Sequence, residues 1–153
     1  MNYEWQDYFK TKPCDEGWLI GQEILNKYDG DLDQAILQVA NKEYLAWAIR
    51  YAKSLSPDTL DKLADDDDSN VRWAVARNPN TTSQTLDKLS NDDDSNVRWA
   101  VARNPNTTSQ TLDKLSDDDD SFVRRAVAKN PNTSHDTLDK LADDDNSDVR
   151  ARS

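Results

Sequence analysis

A tryptophan followed four residues later by an arginine occurs twice in this chain, as Trp73 with Arg77 and as Trp99 with Arg103. Four residues is close to one helical turn, so on a helix each pair shares a face. The same two slots one repeat earlier hold Trp47 and Tyr51, and one repeat later Arg125 and Lys129. The result is an aromatic and basic stripe. It has two readings. In one, the side chains pack on each other, with guanidinium groups stacked over indole rings. In the other the stripe is a binding surface, because exposed Trp and Arg are the residue types that anchor protein interfaces. The same residues could also stack bases and hold phosphates.

Runs of aspartate alternate with this stripe: Asp65, Asp66, Asp67 and Asp68; Asp92, Asp93 and Asp94; Asp117, Asp118, Asp119 and Asp120; Asp143, Asp144 and Asp145. The last acid of each of the first three runs, Asp68, Asp94 and Asp120, is placed to cap a following helix and to favour its positive end. Three uses for the remainder are weighed: solvation, calcium and mimicry of nucleic acid. Calcium takes six to eight oxygens from a loop that folds around it. The runs lack the alternate spacing, glycine and distal Glu of such a loop. Asp29-Gly30-Asp31-Leu32-Asp33 has alternate acids, but Gln34 and Ala40 stand where Gly and Glu are needed. Mimicry has better geometry. Helices stacked roughly 8–10 Å apart would set the four clusters along an edge on the order of 30 Å long. That is sparser than the one charge per ~1.7 Å of duplex DNA, though of the right sign. The expected acidic edge is Asp65, Asp66, Asp67, Asp92, Asp93, Asp117, Asp118, Asp119, Asp143 and Asp144.

The whole composition narrows the choice. The chain has 153 residues, 19 Lys plus Arg against 30 Asp plus Glu, and a net charge of -11. Such a balance argues against direct contact with duplex nucleic acid or an anionic membrane. No apolar run approaches the ~20 residues that span a bilayer. MNYEWQDYFK has no apolar core of a secretory signal, so a cytoplasmic location is expected. Cys14 is the one cysteine and His135 the one histidine, and there are three glycines. An internal disulfide, an all-cysteine metal site and a glycine-rich phosphate loop are excluded. His135 reads as an exposed residue at a helix start, and Cys14 as a small apolar side chain. No enzyme, cofactor or metal site is expected.

These residues are positioned by a repeat. LDKL recurs at Leu60, Leu86, Leu112 and Leu138, 26 residues apart, and Val71, Val97, Val123 and Val149 keep the same period. Residues 65–90 and 91–116 differ only at Asp65 against Asn91, and 117–142 matches 91–116 at 18 of 26 positions. A fainter copy, 45–53, aligns with 71–79. Each unit reads as two short helices. Ser56 with Pro57, and then Thr82, start the first; Leu86 and Leu89 mark its apolar face. Asp68 starts the second, whose stripe of Val71, Ala74 and Val75 spans roughly 100° of arc. Asn78-Pro79 ends it, since a residue before proline leaves the helical region. Alanine at 74, 100 and 126 lets helices approach closely. Residues 1–44 form a helical N-terminal cap, with one helix over about 17–28 carrying Trp18, Leu19, Ile24 and Leu25, and a second, capped by Asp31, carrying Ala35, Ile36, Val39 and Ala40. The array then runs as a half-unit 45–64, units 65–90, 91–116 and 117–142, and a partial unit 143–153. In the last, Arg152 occupies the slot of Ala74, where a charge is bearable only if nothing stacks on it.

The string V-R-x-A-V-A-x-N-P-N-T, carried by Val71, Arg72, Ala74, Val75, Ala76, Asn78, Pro79, Asn80 and Thr81 with Leu86 and Leu89, resembles the leucine-rich repeat variant family, a relative of HEAT-like repeats. The resemblance covers about 56–153. It implies an all-α, right-handed solenoid of short paired helices, one of each pair α or 3₁₀, and no reaction. Some members carry an iron–sulfur cysteine cluster upstream, which one cysteine cannot supply. Thr82-Ser83 stands where members often have prolines. The resemblance also implies that an aspartate of each run pairs with Arg72, Arg98, Arg124 or Arg150, so capping and pairing together explain one or two acids per run. The expected function is non-catalytic protein binding through Trp47, Trp73, Trp99, Arg77, Arg103, Arg125 and Lys129, with the acidic edge steering a basic partner. The alternatives are an acidic nucleic-acid mimic that inhibits a nucleic-acid-binding protein, as in phage or plasmid counter-defence, and a purely structural array, natural or engineered.

Overall fold

The computed structural model describes residues 15–52 and 54–150. Cys14 and Arg152 lie outside them. Every regular element among the described residues is an α-helix. None of these helices is long and apolar enough to cross a membrane. The chain divides into two compact units, residues 1–80 and 81–153.

The first unit holds α1 (Asp15–Lys27), α2 (Leu32–Ile36), α3 (Lys42–Tyr51), α4 (Pro57–Leu63) and α5 (Ser69–Arg77). The turn after α1 is made by Asp29 at φ 54° and Gly30 at φ 78°, where glycine has no steric penalty. The Gly30 N–H donates to the Leu25 carbonyl at 3.0 Å, which closes the helix. Leu25 is buried, but Leu19 is 68% exposed and does not join the core. The Asp31 carboxylate accepts from the Gln34 N–H at 3.0 Å and starts α2, as the sequence predicts. This helix stops at Ile36, short of the predicted Val39 and Ala40. The N–H groups of Gln38 and Val39 turn back to carbonyls only three residues earlier, and Asn41 at once caps α3 through the Tyr44 N–H. Val39 is still buried; Ala40 is exposed.

In α3 the buried Leu45, Ala48 and Ile49 occupy the slots of Val71, Ala74 and Val75 in α5, and the two helices pack together. α3 and α5 thus bury the residues that align in sequence. Ser56 caps α4 with Pro57 in its first turn, and Asp68 caps α5.

The second unit holds α6 (Ser83–Leu89), α7 (Ser95–Arg103), α8 (Ser109–Leu115), α9 (Ser121–Ala128), α10 (His135–Ala142) and α11 (Ser147–Arg150). Thr82, Thr108 and Ser134 cap α6, α8 and α10; Asp94 and Asp120 cap α7 and α9. Both helices of each pair are α, so the 3₁₀ alternative is not taken up. Stacking runs from α7 to α9 to α11, with α6, α8 and α10 packed beside them. The core is Leu86, Leu89, Val97, Val101, Leu112, Leu115, Val123, Val127, Leu141 and Val149, all at most 2% exposed. Each such side chain contributes about 1.5–3 kcal/mol by leaving water. Ala100 and Ala126 are buried where α7 and α9 meet, as a close approach requires.

Polar groups bind successive repeats as well. The Asn132 Nδ2 donates to the Thr107 carbonyl at 3.0 Å, and Asn106 does the same to Thr81. Thr137 donates to Asp113, and Thr111 to Asp87, each at 3.0 Å. Lys140 reaches Ser116, and Lys114 reaches Ser90, each at 2.9 Å. Buried Asn130 donates to the carbonyls of Ala102 at 2.8 Å and Asn104 at 3.1 Å. A residue in one repeat thus meets the same partner in the preceding one. This is a physical reason for polar positions, and not only apolar ones, to recur from unit to unit.

Candidate functional site

The aspartate runs are built around the arginine of the V-R dipeptide. In the second unit the Arg98 Nε lies 2.7 Å from Asp118 Oδ2, and its Nη2 lies 3.0 Å from Oδ1 and 2.9 Å from Asp119. Its Nη1 donates back to the carbonyls of Asp92 and Asp93. Arg124 repeats the pattern with Asp144 at 2.7 Å and Asp145 at 2.8 Å, and with the carbonyls of Asp118 and Asp119. A fork of five donors can span two carboxylates and a loop at once. The same acid that meets arginine also folds its own turn: Asp118 accepts from the Asp120 N–H at 2.9 Å, and Asp144 from the Asn146 N–H at 2.8 Å.

The electrostatics follow from this geometry. The hydrogen bond from Arg124 first, with the Asn146 N–H, lowers the Asp144 carboxyl to about 2. For Asp118, burial pushes upward, but the Arg98 and Asp120 donors outweigh it and the net shift is down. Both guanidinium groups are raised, chiefly by these same bonds. In the first unit Lys42 takes the cationic role, 2.7 Å from Asp66 and 3.3 Å from Asp67. Its pKa is raised, mainly by the hydrogen bond to Asp66. Asp66 also accepts from the Asp68 N–H, and Arg72 donates to the carbonyls of Asp66 and Asp67.

Capping and pairing therefore account for more acids than the expected one or two. In the run 117–120, Asp117 meets Lys140 at 2.6 Å, Asp118 and Asp119 meet Arg98, and Asp120 caps α9. The sequence reading had one partner per arginine, whereas the fork serves two. Asp66, Asp92, Asp118 and Asp144 are half-buried; Asp65, Asp67, Asp93, Asp117, Asp119 and Asp143 are exposed. Among the described residues no group of three or more His, Cys, Asp and Glu is arranged to hold a metal ion. His135 lies exposed at the first position of α10.

Along the stripe, guanidinium groups stack on aromatic rings. The Arg77 guanidinium lies 4.9 Å from the Trp73 ring centre, and Arg103 lies 4.9 Å from that of Trp99. Trp47 and Tyr51 pack with ring centres 5.6 Å apart. Arg50, which sequence reasoning passed over, sits over Tyr51 at 5.1 Å and over Trp73 at 5.3 Å. Trp47, Trp73 and Trp99 are half-buried, while Arg77, Arg103 and Lys129 are exposed.

Each unit has a cavity at its part of the stripe. In the first, Trp47, Arg50, Tyr51 and Trp73 stand beside Glu43 and Asp68 around about 470 Å³. In the second, Trp99, Arg103, Phe122, Arg125, Lys129 and Pro131 surround about 450 Å³. Both volumes lie in the ~300–1,000 Å³ range of ligand pockets. Phe122, at 66% exposure, was missed by the sequence reading. The available signal was its slot, which holds Asn70 and Asn96 in the two preceding repeats. Among the described residues the buried Arg125 Nε has no hydrogen-bond partner. Such an orphan costs about 1–3 kcal/mol.

Residues 122–146, which run from α9 through α10, match the family model described as Leucine rich repeat variant. The resemblance drawn from the V-R-x-A-V-A-x-N-P-N-T string holds there, and it accords with the all-helical repeat structure. Neither the curated proteins nor the solved structures provide a match to this chain.

Proposed function

We propose that this chain, with its leucine-rich repeat variant unit at residues 122–146, is a non-catalytic protein-binding module that works in the cytoplasm. The observation that carries this reading is the recurrence, in both compact units, of a half-buried tryptophan opening onto a cavity of comparable size, Trp73 in one and Trp99 in the other. A packed indole with a stacked arginine is already ordered, so a partner that covers it loses little extra conformational freedom. Trp47 and Arg77 complete the contact surface of the first unit, and Arg103, Arg125 and Lys129 that of the second. Exposed carboxylates such as Asp143 would draw basic residues on the partner toward the repeats.

The mimic reading loses support from the arginine forks, which partly neutralise the second and third acids of two runs. The test is affinity capture from lysate of the source cells, with the wild type beside Trp73→Ala/Trp99→Ala and a variant carrying Asn at Asp65, Asp93, Asp117 and Asp143. Loss of the captured protein in the Trp variant, with retention in the Asn variant, supports the stripe. The reverse order would transfer the function to the acids.

A further inference from the structure

Resting on the binding-module reading, we infer that the cavity between α7 and α9 takes an acidic peptide segment of a partner protein, anchored by one apolar side chain. Three of its lining residues are cations, Arg103, Arg125 and Lys129, and none is an acid. In a chain of net charge -11, a concave surface of that sign is a local inversion. The corresponding cavity of the first unit is different in kind: Arg50 shares it with Glu43 and Asp68. Charge complementarity therefore assigns an anionic occupant to the second unit alone.

The walls assign the rest of the ligand. Trp99 is half-buried under Arg103, and Phe122 stands 66% exposed near the start of α9. A phenyl ring left in water at the mouth of an aromatic cavity is a surface for an apolar side chain. Arg125 belongs to the same wall. Carboxylates that flank the apolar anchor would meet the three cations, Arg125 among them, as charge-assisted hydrogen bonds.

The repeat itself points to the same place. Unit 117–142 departs from unit 91–116 at eight positions, and three of them, Phe122, Arg125 and Lys129, line this cavity. At those slots the earlier unit has Asn96, Trp99 and Arg103. The change from Asn and Trp to Phe and Arg adds an exposed ring and a cation. A single nucleic-acid strand is the poorer occupant. Its phosphates need cations along a tract, whereas these three surround one cavity.

The test is fluorescence polarisation of the full chain with three labelled probes: the peptide Asp-Glu-Phe-Asp-Glu, its basic counterpart Lys-Arg-Phe-Lys-Arg, and an oligo-dT strand. The acidic peptide should bind best. Phe122→Asn/Arg125→Trp should weaken it about tenfold or more, and Phe122→Asn alone by several-fold. Both variants install residues that the preceding repeat already carries, so melting temperature should hold. Unchanged binding in the double variant, or tighter binding of the basic peptide or of oligo-dT, overturns the inference. If the peptide fails while the lysate partner is still lost with Trp73→Ala/Trp99→Ala, the acidic-segment inference falls and the module reading stands. If that partner is also indifferent to the Trp changes, both fall.

Discussion

Arg98 and Asp118, 20 positions apart in sequence, form a two-bonded pair, Nε to Oδ2 at 2.7 Å and Nη2 to Oδ1 at 3.0 Å, with side-chain exposures of only 14% and 5%. The pair joins one repeat to the next, and Asp118 also holds the N–H of Asp120, the residue that caps α9. Asp118→Ala removes all of these bonds and leaves a largely covered guanidinium without its main carboxylate. The expected loss is about 2–3 kcal/mol in urea unfolding. Asp139→Asn, an exposed acid on α10, should stay within about 0.5 kcal/mol. Equal effects from the two would show that the ladder contributes nothing particular.

The same ladder sets an acid limit. The Asp144 carboxyl is held at about 2 against its ordinary 3.8, and Asp118 is shifted in the same direction. A carboxyl whose folded value is depressed contributes stability that is full above its unfolded pKa and is lost as pH falls through the folded one. The urea midpoint should therefore drop between about pH 4 and pH 2, with about 1 kcal/mol from Asp144 after solvent screening. Asp144→Asn should start lower at neutral pH and show a flatter profile in that window. Parallel profiles for wild type and variant would refute the assignment.

Asn130 offers a test of the buried polar joint. Its Nδ2 serves two carbonyls of the preceding repeat, and its Oδ1 accepts from the Asn132 N–H at 2.9 Å. Asn130→Ala strands those groups under α9 and should cost about 2–3 kcal/mol. Thr108→Ala, which removes the α8 cap and the 3.0 Å hydroxyl bond to Thr111, should cost about 1 kcal/mol. Comparable losses would argue that water re-satisfies the joint.

Packing and contact roles separate at two aromatic residues of one cavity. Trp99→Ala deletes a half-buried ring that carries a stacked arginine, and a loss of about 1–2 kcal/mol is expected. Phe122→Ala deletes a ring that is mostly in water already, so its melting temperature should match wild type within the error of calorimetry. A clear destabilisation by Phe122→Ala would make that ring part of the fold rather than a free surface.

Much of this molecule is determined by sequence because much of its chemistry is short-range. The period of 26, the caps at Ser56, Thr82, Asp68 and Asp94, the stop at Asn78-Pro79 and the buried Val71, Ala74 and Val75 depend on neighbours within a turn or two, and all are legible as letters. The stacking of Arg77 on Trp73 is legible for the same reason. Tertiary structure decided what identical letters do. In a run of four aspartates nothing local separates Asp117 from Asp118; only the stacking of α7 on α9 brings Arg98 to the second and third and leaves the first to Lys140. Ala40 and Leu19 look like core by type, yet the helix that would carry Ala40 ends early and Leu19 faces water. Phe122 went unread in the sequence, and only the packed repeats set it beside Trp99 and Arg125 in the lining of a cavity. Contacts across 20 to 28 residues follow from how consecutive helices stack, and no local propensity encodes that distance.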